Sequence, residues 1–345
     1  MSDVLTRIEG RAGRITLSRP QALNALTHGM SRTIESAIDA WRDDPRVAIL
    51  LIDAEGERAF CAGGDVAAIW RASMAGDPQV GRDFWRDEYR MNAKLAEYPK
   101  PVVSLMQGYV MGGGVGLGCH VSHRILAETT QMSMPEAAIG LIPDVGGTLL
   151  LARAPGRLGE YLGLTGARMG AGDAIYAGFA DAVVPRADWP ALIAALCADG
   201  HPNEIERVRR PAPHSPLAAA TPDIDRMFSH HSVAEMLRSL AHIESPWAVA
   251  AMAAISRNSP LSMACTLALL RGLPADAGIR TALGREYRFT WRAARPGLTD
   301  FLEGVRAQLI DKDRLPRWRN EVAETVEEAE IANLLEPLGI DDLRL

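Results

Sequence analysis

Lysine is nearly missing from this chain. Only Lys94, Lys100 and Lys312 stand among 37 basic residues, the rest being arginine, and 43 acidic residues leave a net charge of −6. The one basic tract, RVRR ending at Arg210, is short and sits in a polar segment. A nucleic-acid partner is therefore not expected, because a phosphate-binding face needs clustered positive charge. Cysteine is scarce too: Cys61, Cys119, Cys197 and Cys265 form no C-x-x-C pair, so neither a zinc site nor a disulfide framework is expected and a reducing compartment is. No apolar run reaches the ~18 residues of a spanning helix. The first residues, MSDVLTRIEG, show no basic region ahead of an apolar core, so a secretory signal is not expected. These absences together predict a cytoplasmic protein with no membrane partner.

Several chemical signatures are absent as well. Gly114, Gly116 and Gly118 do not fit G-x-G-x-x-G, no Gly-Lys pair offers a phosphate loop, and no G-x-S-x-G elbow is found. His120 and His123, and the adjacent His230 and His231, lack the context of a zinc-binding helix. Chemistry in this chain is left to carboxylates and backbone amides, with no metal and no resident cofactor expected.

What is present reads as a mixed α/β protein, 48% hydrophobic over 345 residues, enough for one large domain or two. VLTRIEG and GRITLSR alternate around Gly10 and Gly13 and predict two paired strands. Thr27 is placed to cap a helix from about His28 to Arg42. VAILLID predicts a strand buried on both faces. RDFWRDEYRMNAKLAEYP predicts a helix with Glu88 on its middle turn, a position that by itself reads as a solvated face. GTLLLARAPGRLGEYLGLTG predicts a helix broken at Pro155-Gly156. Residues 201–223 hold five prolines and predict a loop or linker, after which the chain is helical.

Two glycine turns follow apolar strands. AFCAGGD places Gly63-Gly64 ahead of a helix starting near Asp65, whose plainer reading is a helix cap. MGGGVGLG places Gly112, Gly113, Gly114, Gly116 and Gly118 after the strand-like PVVSLMQGYV. Each turn leaves helix-start N–H groups free to meet negative charge, whether a phosphate or the oxyanion of acyl transfer, or else marks a tight helix–strand crossing. Beyond them lie Pro135-Glu136 and Pro143-Asp144, two carboxylates suited to proton transfer or nucleophilic attack.

Taken together, ITLSRPQALNALT, AFCAGGD, GYVMGGGVGLG, MPEAAIGLIPDVGGT and LTGARMGAGDAIYAGFADAVVP resemble the crotonase (enoyl-CoA hydratase/isomerase) superfamily. The resemblance implies a spiral of ββα units over residues 1–200, carrying the coenzyme A and catalytic site, and a mainly helical region over 201–345. It implies an acyl-CoA substrate whose thioester oxygen meets the N–H groups of Gly64 and Gly113, with Leu23, Ala25 and Ala62 near the coenzyme. Coenzyme A then enters as part of the substrate. Hydratases of this superfamily carry a first glutamate where this chain has Gly116, while their second matches Glu136. GGGVGL, PE followed by PDVGG, and DFLEGVRAQLIDKD resemble instead the 3-hydroxyisobutyryl-CoA hydrolase branch. That implies thioester hydrolysis in valine breakdown, with Glu136 as principal catalytic group, Asp144 assisting and Glu88 contacting substrate. Glu136 would be nucleophile or general base. An enoyl-CoA hydratase or isomerase using Glu136 alone, and a non-catalytic acyl-CoA-binding protein, are the competing expectations. Both a monomer and a homo-oligomer are compatible with the resemblance.

Overall fold

Strand β3 (Ile49–Ala54) is the apolar run expected from VAILLID, and all six of its residues are buried. It lies inside a sheet ordered β1-β2-β3-β5-β7-β9, with β1 (Val4–Glu9), β2 (Ala12–Leu17), β5 (Val102–Met106), β7 (His123–Leu126) and β9 (Ala182–Val183). Only the β1–β2 pair is antiparallel; its register sets Val4 against Leu17 and Glu9 against Ala12. The other pairs are parallel. A second, smaller parallel sheet is ordered β4-β6-β8, from β4 (Ala59–Cys61), β6 (Tyr109–Met111) and β8 (Gln131–Ser133). Each of the pairs β3/β4, β5/β6 and β7/β8 sends its first strand to the large sheet and its second to the small one, which is the ββα spiral that the motifs implied.

The structure, a computed structural model, describes residues 2–345 and divides into two compact units. The first takes the chain up to Gly64, Asp87–Ser133 and Arg168–Pro216; the second takes Asp65–Arg86, Met134–Ala167 and Leu217–Leu345. This partition follows packing, whereas the division at residue 200 expected from sequence follows motif content. In the first unit, Ile49, Leu51, Val103, Leu105 and Ile125 project from one face of the large sheet into a core closed by Trp189, Leu192 and Leu196 of the helix Trp189–Asp199. Alternate residues such as Ile15, Leu50 and Ile52 are equally buried, as a sheet covered on both faces requires. The helix His28–Trp41 packs on β1 and β2, and Thr27 caps it by accepting the Met30 N–H at 3.2 Å.

The second unit is helical. The break at Pro155-Gly156 is where expected, between helices Gly147–Arg153 and Leu158–Thr165. Residues 201–223 are a correction: they contain the helix Glu204–Val208, and the helix Pro216–Phe228 starts within them. Pro216 sits at the first helical position, which tolerates proline, and burial of Leu217, Ile224, Met227 and Phe228 outweighs the penalty of Pro222 inside the helix. Helices Val233–Leu240, Pro246–Ile255, Pro260–Gly272 and Ile279–Ala293 match the segments expected to be helical. Asp65 occupies the position before helix Val66–Met74, yet its side chain makes no capping bond. Among the described residues, no helix is long and apolar enough to cross a membrane.

Within this unit the helices Gly147–Arg153 and Leu158–Thr165 cross so closely that a Cβ on Gly159 would stand 1.8 Å from the Leu151 carbonyl oxygen. Backbone meets backbone there, so no rotamer change can relieve an added methyl. Gly159→Ala is expected to destabilise the protein by about 1–3 kcal/mol, read as a lower urea midpoint; an unchanged midpoint would contradict the close crossing.

Candidate active site

The residues singled out in the sequence fall into two groups, each built within one unit. In the first unit, Leu23 and Asn24 adopt left-handed backbone (φ 53° and 54°). The Asn24 amide holds this unusual turn: its Nδ2 donates to the Glu55 carbonyl at 3.0 Å and to the Ala59 carbonyl at 2.9 Å, and its Oδ1 accepts the Arg19 N–H at 2.8 Å. The turn then meets the first glycine loop. Ala62 N–H donates to the Leu23 carbonyl at 3.1 Å, and Leu26 N–H donates to the Gly63 carbonyl at 2.8 Å. Leu23, Ala25 and Ala62 thus share one small framework beside Gly64.

The second glycine loop closes on the same framework. Gly112 has φ 47° and ψ −118°, open only to glycine, and its carbonyl accepts the Val115 and Gly116 N–H groups at 2.8 and 3.2 Å. Gly114 packs against Cys61 of β4, where a Cβ would stand 2.2 Å from the carbonyl oxygen. A Cβ on Gly113 would lie 3.5 Å from the Gly63 carbonyl carbon and 2.8 Å from Glu88 Oε1. The two loops and Glu88 therefore converge. No described backbone acceptor takes the Gly64 or Gly113 N–H, so both donors remain available to an oxyanion.

Glu88 is 2% exposed, not on a solvated face. Its helix, Gln79–Ala96, is oriented by ion pairs to His28–Trp41. Arg90 grips Glu35 at 2.6 and 2.8 Å, Lys94 reaches Glu35 and Asp39, and His28 meets Asp87 at 2.7 Å. Arg90 stays partly exposed, so its pair contributes nearer to about 1 kcal/mol than the value of a buried pair. Register matters more: Asp87, Arg90 and Lys94 face the neighbouring helix while Glu88, Tyr89 and Asn92 turn inward and are buried. Burial, with the Glu88 charge adding to it, pushes the Cys61 thiol up to about 12.

The second unit holds the other group. Glu136 begins a 3-10 turn, Glu136–Ile139, behind Pro135. That turn rests on the helix Phe301–Val305 through two glycines. A Cβ on Gly140 would stand 2.3 Å from the Asp300 carbonyl carbon, and one on Gly304 would stand 2.3 Å from the Ile139 carbonyl. Asp300 is itself fixed, accepting Ser259 Oγ at 2.6 Å and the Arg319 N–H at 2.9 Å. The motif DFLEGV therefore serves as the backing of the Glu136 turn.

Asp144 lies on the turn that opens helix Gly147–Arg153, and its carbonyl accepts the Gly147 N–H at 2.7 Å. The next two residues, Val145 and Gly146, are left-handed (φ 53° and 80°). A β-branched residue there is strained by about 1–3 kcal/mol. Glu136 and Asp144 are both about 95% buried. Glu136 Oε2 has no hydrogen-bond partner among the described residues. Burial, then the charges of Asp144 and Glu286, hold the Glu136 carboxyl well above the ordinary carboxylate range. A carboxyl so displaced from its ordinary range marks Glu136 as a candidate functional group.

Glu286 was not singled out in the sequence. It is fully buried on helix Ile279–Ala293; burial raises its carboxyl above the ordinary range, against the pull of three hydrogen bonds from Gly146 and Thr148 that favour the ionised form. Its signal was present: it interrupts the apolar stripe of Ile279, Ala282, Leu283, Phe289 and Ala293. Asn92 carries the same mark, fully buried one turn beyond Glu88, with both amide atoms unpartnered among the described residues.

Known proteins agree with this architecture. A sequence profile described as enoyl-CoA hydratase/isomerase matches residues 12–335. A protein of Gallus gallus named 3-hydroxyisobutyryl-CoA hydrolase, mitochondrial, is 39% identical over 355 residues, covering all of this chain and 91% of its own. One from Arabidopsis thaliana, named probable 3-hydroxyisobutyryl-CoA hydrolase 3, is 35% identical over 97% of this chain and 92% of its own. Among solved structures, one described as an enoyl-CoA hydratase from Rhodobacter sphaeroides 2.4.1 superposes with a TM-score of 0.95 at 57% identity, covering both chains completely. Another, described as a carnitinyl-CoA dehydratase from Mycobacterium thermoresistibile, gives 0.94 at 41% over all of this chain and 99% of its own. The fold, the glycine loops and a match spanning nearly the whole length lead to one conclusion: the chain belongs to the enoyl-CoA hydratase/isomerase family, the crotonase superfamily.

Proposed function

We propose that this protein hydrolyses the thioester of a short 3-hydroxyacyl-CoA, 3-hydroxyisobutyryl-CoA being the first choice, to the free hydroxy acid and coenzyme A. The observation that carries the reading is the full-length similarity to proteins named for that hydrolysis. A glycine at position 116, where a hydratase needs its first acid, supports it.

The Gly64 and Gly113 N–H groups polarise the thioester carbonyl and hold the oxyanion of the tetrahedral intermediate. Leu23, Ala25 and Ala62 contact the coenzyme, and Glu88 contacts the acyl group. Glu136 acts by one of two routes. As nucleophile it attacks the carbonyl carbon, expels the coenzyme thiolate and forms a mixed anhydride that water then cleaves. As general base it takes a proton from water as that water attacks. Asp144 holds the substrate hydroxyl or the water. Such a reaction sits in valine breakdown. We propose a cytoplasmic location; the protein's four free, buried cysteines support a reducing compartment, and the Gallus gallus relative is named mitochondrial.

The deciding assay is thiol release from 3-hydroxyisobutyryl-CoA, with loss of enoyl absorbance from crotonyl-CoA followed beside it. Thiol release with little change in crotonyl-CoA is expected; hydration without thiol release would move the assignment to a hydratase, as the names of the superposing structures suggest. Glu136→Gln is expected to lower kcat by about 10²–10⁴-fold while the folded state persists, and near-normal turnover would remove Glu136 from the mechanism.

The pH profile gives an independent check. Glu136 must be ionised on either route, so kcat/KM falls as pH drops through its carboxyl value, which burial and the Asp144 charge hold above the ordinary range. Asp144→Asn deletes a like charge and is expected to move that acidic limb to lower pH while also reducing the plateau. An acidic limb that stays in place would show that Asp144 does not act on Glu136.

A further inference from the structure

A buried carboxylate far along the chain reaches back to the turn carrying Asp144. Glu286 Oε2 accepts the Gly146 N–H at 2.7 Å, and its Oε1 accepts the Thr148 N–H at 3.0 Å and the Thr148 hydroxyl. These two residues flank Gly147, whose own N–H is held by the Asp144 carbonyl. The segment so gripped contains the consecutive left-handed pair Val145 and Gly146. A valine relaxes out of that region unless its neighbours are restrained.

We propose that Glu286 is a positioning residue for the reaction: through Gly146 and Thr148 it clamps the strained turn after Asp144 and thereby fixes where the Asp144 carboxylate stands. This rests on the reading of Asp144 as a catalytic group. The arrangement is costly in itself, because Glu286 brings a third carboxyl close to Asp144 and Glu136. A helix that needed only to pack would place an apolar residue at 286, as it does at Leu283 and Phe289. The carboxylate is matched to its donors. A glutamine could keep the Thr148 bonds through its carbonyl oxygen but would set an NH2 against the Gly146 N–H. An aspartate would fall one methylene short.

The test measures kcat, KM and thermal midpoint for thioester hydrolysis in the full chain, for Glu286→Gln and Thr148→Val, each alone and combined with Asp144→Asn. Misplacing a catalytic group by an ångström costs up to about 10²-fold. Glu286→Gln is expected to lower kcat about 10–100-fold with KM changed less than about threefold, and Thr148→Val to lower it less. In the Asp144→Asn background, both changes are expected to cost under about twofold, because the group being positioned is already disabled. Wild-type kcat in Glu286→Gln overturns the proposal, as does an equal loss with and without Asp144. If Glu286→Gln does not fold, Thr148→Val, which keeps the buried carboxylate, decides by the same two criteria. Wild-type turnover in Asp144→Asn alone would remove Asp144 from catalysis and take the clamp's role with it, an outcome distinct from a clamp that fails beside an essential Asp144.

Discussion

Burial of carboxylates beside one another is the constraint on which the second unit depends. Glu136, Asp144 and Glu286 are each at least 95% removed from solvent, and each of the latter two raises the proton affinity of Glu136. Taking a carboxylate out of water costs several kcal/mol unless donors replace the water. Glu286 receives three such donors from Gly146 and Thr148. Glu136 Oε2 receives none among the described residues. The cost is therefore unevenly placed: one carboxylate spends its bonds holding backbone, while the other keeps an oxygen without a donor among the described residues. Sites that hold acids in unlike environments separate their roles in this way.

Backbone, not side chains, is the corresponding constraint in the first unit. Two glycine loops must approach within van der Waals distance, and any Cβ at Gly114 would drive into the Cys61 carbonyl. The close packing fixes the loops without using the Gly64 or Gly113 N–H, which no described backbone acceptor takes. Asn24 contributes from outside by tying the Leu23 turn to the β3–β4 connection with two bonds to carbonyls. Neither Asn24 nor Gly114 needs to touch a substrate for its loss to disturb the site.

Much of this was legible in the sequence because it depended on local rules. Glycines after apolar strands, Thr27 as a cap, and the alternation around Gly10 and Gly13 each state their structure within a few residues. What escaped depended on tertiary burial. Five prolines made residues 201–223 read as a loop, but Ile224, Met227 and Phe228 find a core and carry Pro222 inside a helix. Glu88 by its position alone read as a solvated acid, and only the resemblance marked it out; its burial is set by the packing of Phe84, Trp85 and Tyr89 and by the ion pairs of Asp87, Arg90 and Lys94 on the neighbouring face. Glu286 was missed because its partners lie about 140 residues away, a separation that no window of sequence spans. DFLEGV was legible as a family mark but not as a device: that Gly304 exists to let a helix lie against the Ile139 carbonyl is visible only in three dimensions.

The same fold can add water to a double bond or cleave a thioester, and the difference comes down to how many proton-transfer groups the reaction needs. Syn hydration delivers a hydroxyl to one carbon and a proton to its neighbour, so two acids flanking the double bond are required. With Gly116 in place of the first, that pair cannot be assembled from the expected positions. Thioester cleavage asks for less. In the proposed reaction the oxyanion is met by backbone, and the leaving group is a thiolate whose conjugate acid titrates near about 8.5, so it departs with little help. One carboxylate able to attack or to deprotonate water is then sufficient, provided it is basic enough to act and held close enough to reach. In the proposed hydrolysis Glu136 takes this part, its proton affinity raised by burial and by its acidic neighbours. Its placement comes from the backing helix at Gly304, and that of Asp144 from the clamp at Glu286. In the proposed hydrolysis, the glycine at 116 and the buried cluster around Glu136 answer one requirement: a single proton-transfer group whose proton affinity is raised.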